Sequence, residues 1–544
     1  MASSPTFPEK LNVADYFLDR HLREGRGGRT AIAGLGPPLS YEELADRAGR
    51  VATAWRELGV TPGDRVLLAL PDSPEFIACF FGTVKMGAIA VPVNPFTRVA
   101  DYAYYAADCQ PSLAVVHEFS FAEALPALQE ANAARHLLTV AGRAPGCDML
   151  DDILPSSRPQ VEPHPTAADD NAFFLYTSGS GGQPKAAMHR HRHMLVTADS
   201  FARQVLGVRP DDVAFSASKL FFAYGLGNAM YFPLSVGAAT VLLPERVTPE
   251  KIFAVLEKHR PTLLFAVPTI YGALLRAAEG TRTRLDFLRA AVSAGEALPA
   301  EIFERFRQRF GQEILDGIGT TEMLHMFMSN RPGEARPGSC GRLVPGYQAR
   351  IVDEAGAELE DGEIGNLWVQ GGSAFAGYWG KPELTARTKP GNWVVTGDKF
   401  TRDPDGFYHY CGRADDMLKV SGMWVSPLEV ENALLAHPAV AEAAVVGQRD
   451  PDGLTQVTAY VVLRSSECHP EPSPARTGLA EACPERSRRV EGPAFSSHSP
   501  ALADELRAFV RRRLPGYKCP QRVEFVAELP KTATGKIQRY KLRS

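Results

Sequence analysis

The sequence predicts an α/β protein in two parts. Residues 1–412 form a large N-terminal domain of parallel-rich sheets covered by helices, with a β region, and residues 413–544 form a small mobile α+β domain. Three observations predict this. Helix-period segments alternate with short apolar runs through the first 170 residues and again after a glycine-rich loop, the rhythm of β-α-β units. From about Gly338 the pattern turns to two-residue alternation broken by acidic-glycine turns, as antiparallel strands require. Near Arg413 it passes from strand to loop to helix.

The elements follow in order. "LSYEELADRAGRVATAWRELG" carries apolar residues at helical spacing, with Ser40 and Glu43 as a capping box and Gly59 as the stop. "DRVLLAL" reads as a buried strand, "EFIACFFGTVKMG" as a helix and "AIAVPVN" as a strand. Lys85 and glycines interrupt this apolar stretch, so it reads as a buried helix passing into a strand rather than as a membrane span. Beyond the loop, "HMLVTADSFARQVLG" and "TPEKIFAVLEKHR" are helices, and "GAATVLL" and "PTLLFAV" strands. The stretch 465–500 is rich in Pro, Ser, Arg and Glu and has little apolar periodicity, so it reads as a flexible insertion between a strand, "TQVTAYVVLR", and a helix, "ALADELRAFVRRRLP".

Composition narrows the function. The chain has 544 residues and a net charge of −4, with 22% charged and 45% hydrophobic residues, typical of a soluble globular protein. The basic excess that marks nucleic-acid binding is missing. The N-terminus has no secretory pattern, and the eight cysteines form no C-x-x-C pair, so reduced thiols and a cytoplasmic location are expected.

Several stretches carry chemistry. In "FLYTSGSGGQPKAAMH", Thr177, Ser178, Gly179, Ser180 and Gly181 can turn N–H and hydroxyl donors toward an anion, and Lys185 adds charge. It is not a Walker A loop, because Pro184 precedes the lysine and Ala186 follows it. In "DGIGTTEM", Thr321 can donate to phosphate and Glu322 can hold magnesium through oxygen. "SAGEAL" places Gly295, Glu296 and Ala297 where a flat ring can approach the backbone. Asp398 in "VVTGDKF" can accept from ribose hydroxyls, "GRADD" offers Arg413, and "LPKTATGK" presents Lys536. Each stretch alone also reads as a turn, a cap or surface charge.

Taken in order, these stretches resemble the adenylate-forming superfamily of acyl-CoA synthetases, luciferases and adenylation domains. The resemblance covers nearly the whole chain outside 465–500. The glycine-rich loop is similar to the family's [ST]-S-G-[ST]-T-G-x-P-K-G, "GIGTTE" to Y-G-x-T-E, "TGD" to the ribose motif, "GRADDMLKVSG" to the hinge region and "PKTATGK" to P-K-T-x-x-G-K. "KLFFAYGLGNAMYFPLSVGA", "DGIGTTEMLHMFMSN" and "GSCGRLVPGY" are similar to the benzoate–CoA ligase branch, which activates aromatic carboxylic acids.

The resemblance implies an ATP-, magnesium- and CoA-dependent ligase acting through an acyl-AMP. It implies Ala223, Tyr224, Gly319, His325 and Met326 at the aryl pocket, and Asp316, Gly317, Ile318 and Thr320 with the loop residues, Gly295, Glu296, Ala297, Asp398 and Arg413 at ATP. It further implies Thr321 at the α-phosphate, Glu322 on magnesium, Lys536 on the pentacoordinate phosphate, Asp415 as hinge, and Lys419, Ser421, Gly422 and Trp424 along a pantetheine tunnel. The expected partners are these small molecules, with neither nucleic acid nor membrane; a homodimer is left open.

The chain departs from the pattern in three places. Gly181 replaces a threonine, and if that hydroxyl matters as an oxyanion donor does, its loss costs about 10²–10³ in rate. Ala186 replaces a glycine, which matters only if φ is positive there. Ile318 replaces a common tyrosine. Rival readings are a carrier-loading adenylation enzyme, a different acyl-CoA synthetase, and a nucleotide-binding protein without activity. His189, His191 and His193 alternate like a metal site, but no acidic or thiol companions lie near, and on a helix they are expected to diverge. His325 is read as either a substrate contact or a packed core residue, and Cys340 and Cys411 as small buried apolar residues.

Overall fold

The computed structural model describes residues 7–34, 36–130, 134–160, 162–177, 183–420, 423–449, 455–464, 500–531 and 537–543. The chain divides into two compact units, Met1–Tyr410 and Cys411–Ser544.

Among the described residues, the larger unit is built on two large sheets and one small one. The centre of the nine-stranded sheet is parallel: Val213–Ser216 lies between Ala239–Val241 and Leu263–Ala266, and Ala290–Ser293 and Ile314–Gly319 continue it. Beyond Ile314–Gly319 the direction reverses, and Met326–Ser329 folds back antiparallel. The eight-stranded sheet has a parallel centre from Ile89–Pro92 through Arg65–Ala69 and Leu113–His117 to His136–Val140. One of its edges is the antiparallel pair Asn171–Thr177 and Lys185–Arg190, covered in turn by Gly377–Tyr378. After Gly338, Arg342–Leu343 edges the nine-stranded sheet, and four later strands form a separate antiparallel sheet, in which Gly365–Gln370 lies between Gln348–Val352 and Val394–Arg402. The parallel core and antiparallel β region therefore stand where the periodicity put them.

Local signals account for the helices. The helix Tyr41–Glu57 begins with the capping box read from the sequence: Glu43 N donates to Ser40 Oγ at 3.2 Å, and Ser40 N to Glu43 Oε2 at 2.8 Å. It ends before Gly59, whose φ of +77° suits glycine. The apolar stretch after it is the buried helix Pro74–Lys85 followed by Ile89–Pro92. Lys85 is buried because its Nζ bonds both oxygens of Asp19, at 2.8 and 2.9 Å. Among the described residues no helix is long and apolar enough to cross a membrane.

In the smaller unit, Val440–Arg449 pairs antiparallel with Thr455–Leu463, which pairs in parallel with Arg522–Phe525. The helices Pro427–Leu435 and Pro500–Arg511 share an apolar core with these strands. Apart from Pro500, which opens its helix, the insertion expected over 465–500 lies outside the described residues.

Replacing Ser40 by Ala should cost about 1 kcal/mol, read as a lower denaturant midpoint, with catalysis unchanged. An unchanged midpoint would show that the cap is not what holds this helix end.

Candidate active site

The site of the larger unit starts at the open end of one strand pair. Thr177 ends Asn171–Thr177 and lies in register with Lys185, so the strands on either side of the glycine-rich stretch are paired up to its edges. Ser178, Gly179, Ser180 and Gly181 lie outside the described residues, but both flanks of their loop are held. Tyr176 donates its hydroxyl to Asp108 Oδ2 at 2.8 Å, and Tyr104 donates to the Pro184 carbonyl at 2.6 Å. Lys381 Nζ bonds Tyr104 Oη at 2.9 Å and Asp108 Oδ1 at 3.1 Å, which ties the two flanks together. Ala186 is buried in the extended strand Lys185–Arg190 and is not among the positive-φ residues, so its Cβ causes no clash.

Tyr378 connects this loop to the next motif. Lys185 Nζ sits 5.4 Å from the centre of the Tyr378 ring, and the Tyr378 hydroxyl donates to Glu322 Oε1 at 2.5 Å. The tyrosine thus lies between the loop's cation and the carboxylate expected to hold metal. The motif residues have a strained setting. Thr320 caps the turn Thr321–Met323 through Met323 N at 3.3 Å. Leu324 follows at φ +65° and ψ −40°, a γ-turn closed by His325 N donating to the Met323 carbonyl at 2.8 Å. Such a backbone costs a non-glycine residue about 1–3 kcal/mol. Three successive carbonyls offset that cost. His189 Nε2 donates to Thr321 O at 2.9 Å, Phe375 N to Glu322 O at 2.7 Å, and Ser373 Oγ to Met323 O at 2.7 Å.

An aromatic region begins three residues after Glu322. His325 is 3% exposed and lies among Phe201, Tyr224 and Phe232, at ring distances of 5.2, 5.5 and 4.5 Å. Its Nε2 bonds Asn228 Oδ1 at 3.0 Å, and burial lowers its pKa to about 3, so the ring is neutral. Ala223 and Tyr224 are half-buried at the start of the short helix Ala223–Leu226, and the tyrosine hydroxyl bonds Val292 O at 3.1 Å. Gly319 has no room for a side chain, because a Cβ there would meet the His325 carbonyl at 2.4 Å. Met326 is buried, and a Cβ on Gly317 would strike its sulfur at 2.5 Å. Ile318 packs half-buried against the core.

The remaining expected residues stand on other elements. Gly295, Glu296 and Ala297 follow the strand Ala290–Ser293, whose Ser293 pairs with Asp316, and Gly295 takes φ +91°. Burial raises the Asp316 carboxyl to about 8. Asp398 stands in the antiparallel sheet beside Gly397, and its backbone N–H donates to Thr396 Oγ1 at 3.1 Å. Arg413 and Asp415 belong to the smaller unit, where Asp416 N donates to the Arg413 carbonyl at 3.0 Å. Lys536, Ser421 and Gly422 lie outside the described residues, as do the side chains of Lys419 and Trp424. The ends of the Lys536 loop are fixed: Lys531 bridges Ile537, and Arg539 pairs with buried Glu431 at 2.7 Å.

The expectation that the histidines diverge was wrong. His189 belongs to the strand and His193 to the helix His191–Thr197, and the turn at Arg190 brings their Nδ1 atoms to 3.2 Å. Helical spacing does not apply across a strand-to-helix junction. No group of three or more possible metal ligands occurs among the described residues. Cys340 and Cys411 are both buried, as expected.

Residues 18–379 match the AMP-binding enzyme family, and residues 429–536 match the AMP-binding enzyme C-terminal domain. The chain belongs to the AMP-binding enzyme family. This AMP-binding enzyme is 44% identical over 539 residues to a benzoate–CoA ligase of Thauera aromatica, covering 99% of this chain and 96% of the relative. It is 42% identical to a 4-hydroxybenzoate–CoA/benzoate–CoA ligase of Rhodopseudomonas palustris, over 98% of this chain and 94% of that one. Among solved structures it resembles a benzoate CoA ligase from Burkholderia xenovorans LB400, with TM-score 0.86 and 42% identity, over 98% of this chain and 100% of that one.

Sequence reasoning overlooked Tyr378, Asp108, Tyr104 and Lys381. The "GYW" of residues 377–379, just before a helix-opening proline, is the one local signal that could have drawn attention to Tyr378.

Two predictions follow from this geometry. Tyr378→Phe should lower ATP-dependent adenylate formation roughly 10-fold in a protein of unchanged thermal midpoint, because Glu322 loses a charge-assisted bond; a rate within twofold of the parent would show that the bond does not orient the carboxylate. Burial holds His189 and His325 at about 3 and His191 at about 4, against about 6.5 when unfolded. Between those values the unfolded chain binds more protons, so stability rises with pH and is lost as pH falls below 6.5. Denaturant midpoints should therefore drop between pH 7 and pH 5, and His325→Gln should flatten that slope; equal slopes would contradict the burial argument.

Proposed function

We propose that this enzyme is an ATP-dependent aryl-CoA ligase that converts benzoate or a substituted benzoate to its CoA thioester through an acyl-AMP. The observation that carries this reading is the short path from Lys185 through Tyr378 to Glu322, then three residues on to His325 among its aromatic neighbours. In this reading the phosphate-binding residues and the aryl pocket flank one turn. The relatives named above act on benzoate and 4-hydroxybenzoate, which supports the same substrate class.

The residues divide the work in this reading. The neutral His325 and Tyr224 hold the ring of the acid, and Gly319 lets its strand pack against the His325 carbonyl. That carboxylate attacks the α-phosphate and pyrophosphate leaves. Thr321 donates to the α-phosphate, Lys185 and the glycine-rich loop hold the outgoing phosphates, and Lys536 supplies a second cation to the pentacoordinate phosphate. A magnesium ion would neutralise phosphate charge and fits the donor set: Tyr378 occupies one side of Glu322 Oε1, and a lone carboxylate with phosphate oxygens is an ordinary magnesium environment. Asp316 and the Gly295–Ala297 backbone receive the adenine, and Asp398 the ribose. In the second step the CoA thiol attacks the acyl carbonyl and AMP leaves. Asp415 is the proposed hinge for that step, and Lys419, Ser421, Gly422 and Trp424 are the proposed pantetheine contacts.

Carboxylate-dependent exchange of labelled pyrophosphate into ATP tests the reading, across benzoates, cinnamate and fatty acids. Benzoates should support exchange and yield thioester when CoA is added. Exchange with fatty acids alone, or with no acid, would overturn it. Lys536→Ala should abolish exchange yet spare thioester formation from supplied benzoyl-AMP; loss of both half-reactions in a folded protein would contradict its role.

A further inference from the structure

The pair of buried histidines behind the Thr321–Met323 turn has no part in the chemistry above. Both rings are fully enclosed, and His189 stacks on Phe173 with ring centres 5.2 Å apart and planes 20° apart. Their hydrogens can be placed from their neighbours. Thr321 O is a carbonyl and can only accept, so His189 carries its hydrogen on Nε2, 2.9 Å away. Burial keeps both imidazoles neutral, so His189 Nδ1 is then a bare acceptor. It faces His193 Nδ1 at 3.2 Å, and two lone pairs at that distance would repel unless His193 Nδ1 bears a hydrogen. His193 Nε2 agrees: it is buried with no partner among the described residues, and a bare acceptor tolerates that better than an N–H. Arg190 N, 3.2 Å from the same His193 nitrogen, favours the opposite tautomer, but the two other observations outweigh it.

We propose that His193 and His189 form a hydrogen-bonded relay that positions Thr321 and Glu322 for adenylation by holding the Thr321 carbonyl. The direction is His193 Nδ1–H to His189 Nδ1, then His189 Nε2–H to Thr321 O. The relay rests on the assignment of Thr321 and Glu322 to the phosphate step. Its value lies in where it acts. The other two carbonyl bonds of the turn come from the segment 373–375, whereas the relay anchors the turn to the strand that begins with Lys185. The loop cation and the Thr321–Glu322 pair thereby share one rigid support: an imidazole stacked in the core and oriented by a second one. Both histidines are positioning residues, because neither reaches the reacting atoms.

The test compares His189→Leu, His189→Gln and His193→Leu. His189→Leu should lower the kcat of pyrophosphate exchange about 30-fold, with the KM for benzoate and the rate of thioester formation from supplied benzoyl-AMP each within about threefold. His189→Gln, which keeps a donor toward the carbonyl, should recover most of the loss, and His193→Leu should lose less than His189→Leu. In a Thr321→Ala background, His189→Leu should cost clearly less than in the parent, because the part that acts through the Thr321 hydroxyl is gone and only the part that acts through Glu322 is left. An undiminished cost there, equal losses in both half-reactions, or no rescue by Gln would overturn the relay. Long-range proton–nitrogen NMR on histidine-labelled protein reads it without any activity: His189 should appear as the Nε2–H tautomer and His193 as the Nδ1–H tautomer, and His189 protonated on Nδ1 would overturn it. A fully active Thr321→Ala enzyme alongside the expected tautomers would instead place the error in the assignment of Thr321.

Discussion

The candidate site depends on one constraint, the strained turn from Thr321 to Leu324. Leu324 is buried with φ +65°, a conformation it would leave if the surrounding bonds did not hold it. Three consecutive carbonyls are held from two separate directions, and the next amide closes the γ-turn. Strain that is over-determined in this way turns a flexible chain into a fixed platform. Thr321 and Glu322 project from it on the polar side, and His325 begins the aromatic wall immediately beyond it. A small displacement of the turn would disturb both the residues proposed to meet phosphate and those proposed to line the acid pocket.

Several buried polar groups around this turn are paired. Asp108 takes Tyr176 and Lys381, Glu322 takes Tyr378, and His325 takes Asn228. The result is a site whose flanks are fixed before any substrate arrives. Preorganisation of this kind lets charge stabilisation act on the reacting phosphate without reorganising the protein.

Much of the fold was legible because it is encoded locally. The Ser40–Glu43 box, the helix-ending Gly59 and the apolar strands around Leu67 and Leu264 are short-range signals, and each produced the element it announces. The site was legible only as far as its motifs are local. Glycines, hydroxyls and a carboxylate within a few positions drew attention to Lys185, Thr321 and Glu322. Their connection was not visible, because Tyr378 is 56 residues from Glu322 and Lys381 is 273 from Asp108. The histidines were misread for a related reason: a periodicity argument assumes one kind of element, and Arg190 is where strand becomes helix. Ala186 was ambiguous in sequence only because its backbone angle was unknown, and an extended strand removes the ambiguity.

The most direct test of the central claim is a crystal structure of the enzyme with an unreactive sulfamoyl mimic of benzoyl-AMP. The account predicts the aryl ring between Tyr224 and His325, the sulfamoyl group within hydrogen-bond distance of Thr321 Oγ1, and the Thr321–Leu324 turn unmoved with Leu324 still at positive φ. A ring bound away from His325, or a turn that relaxes to negative φ when the mimic binds, would contradict it.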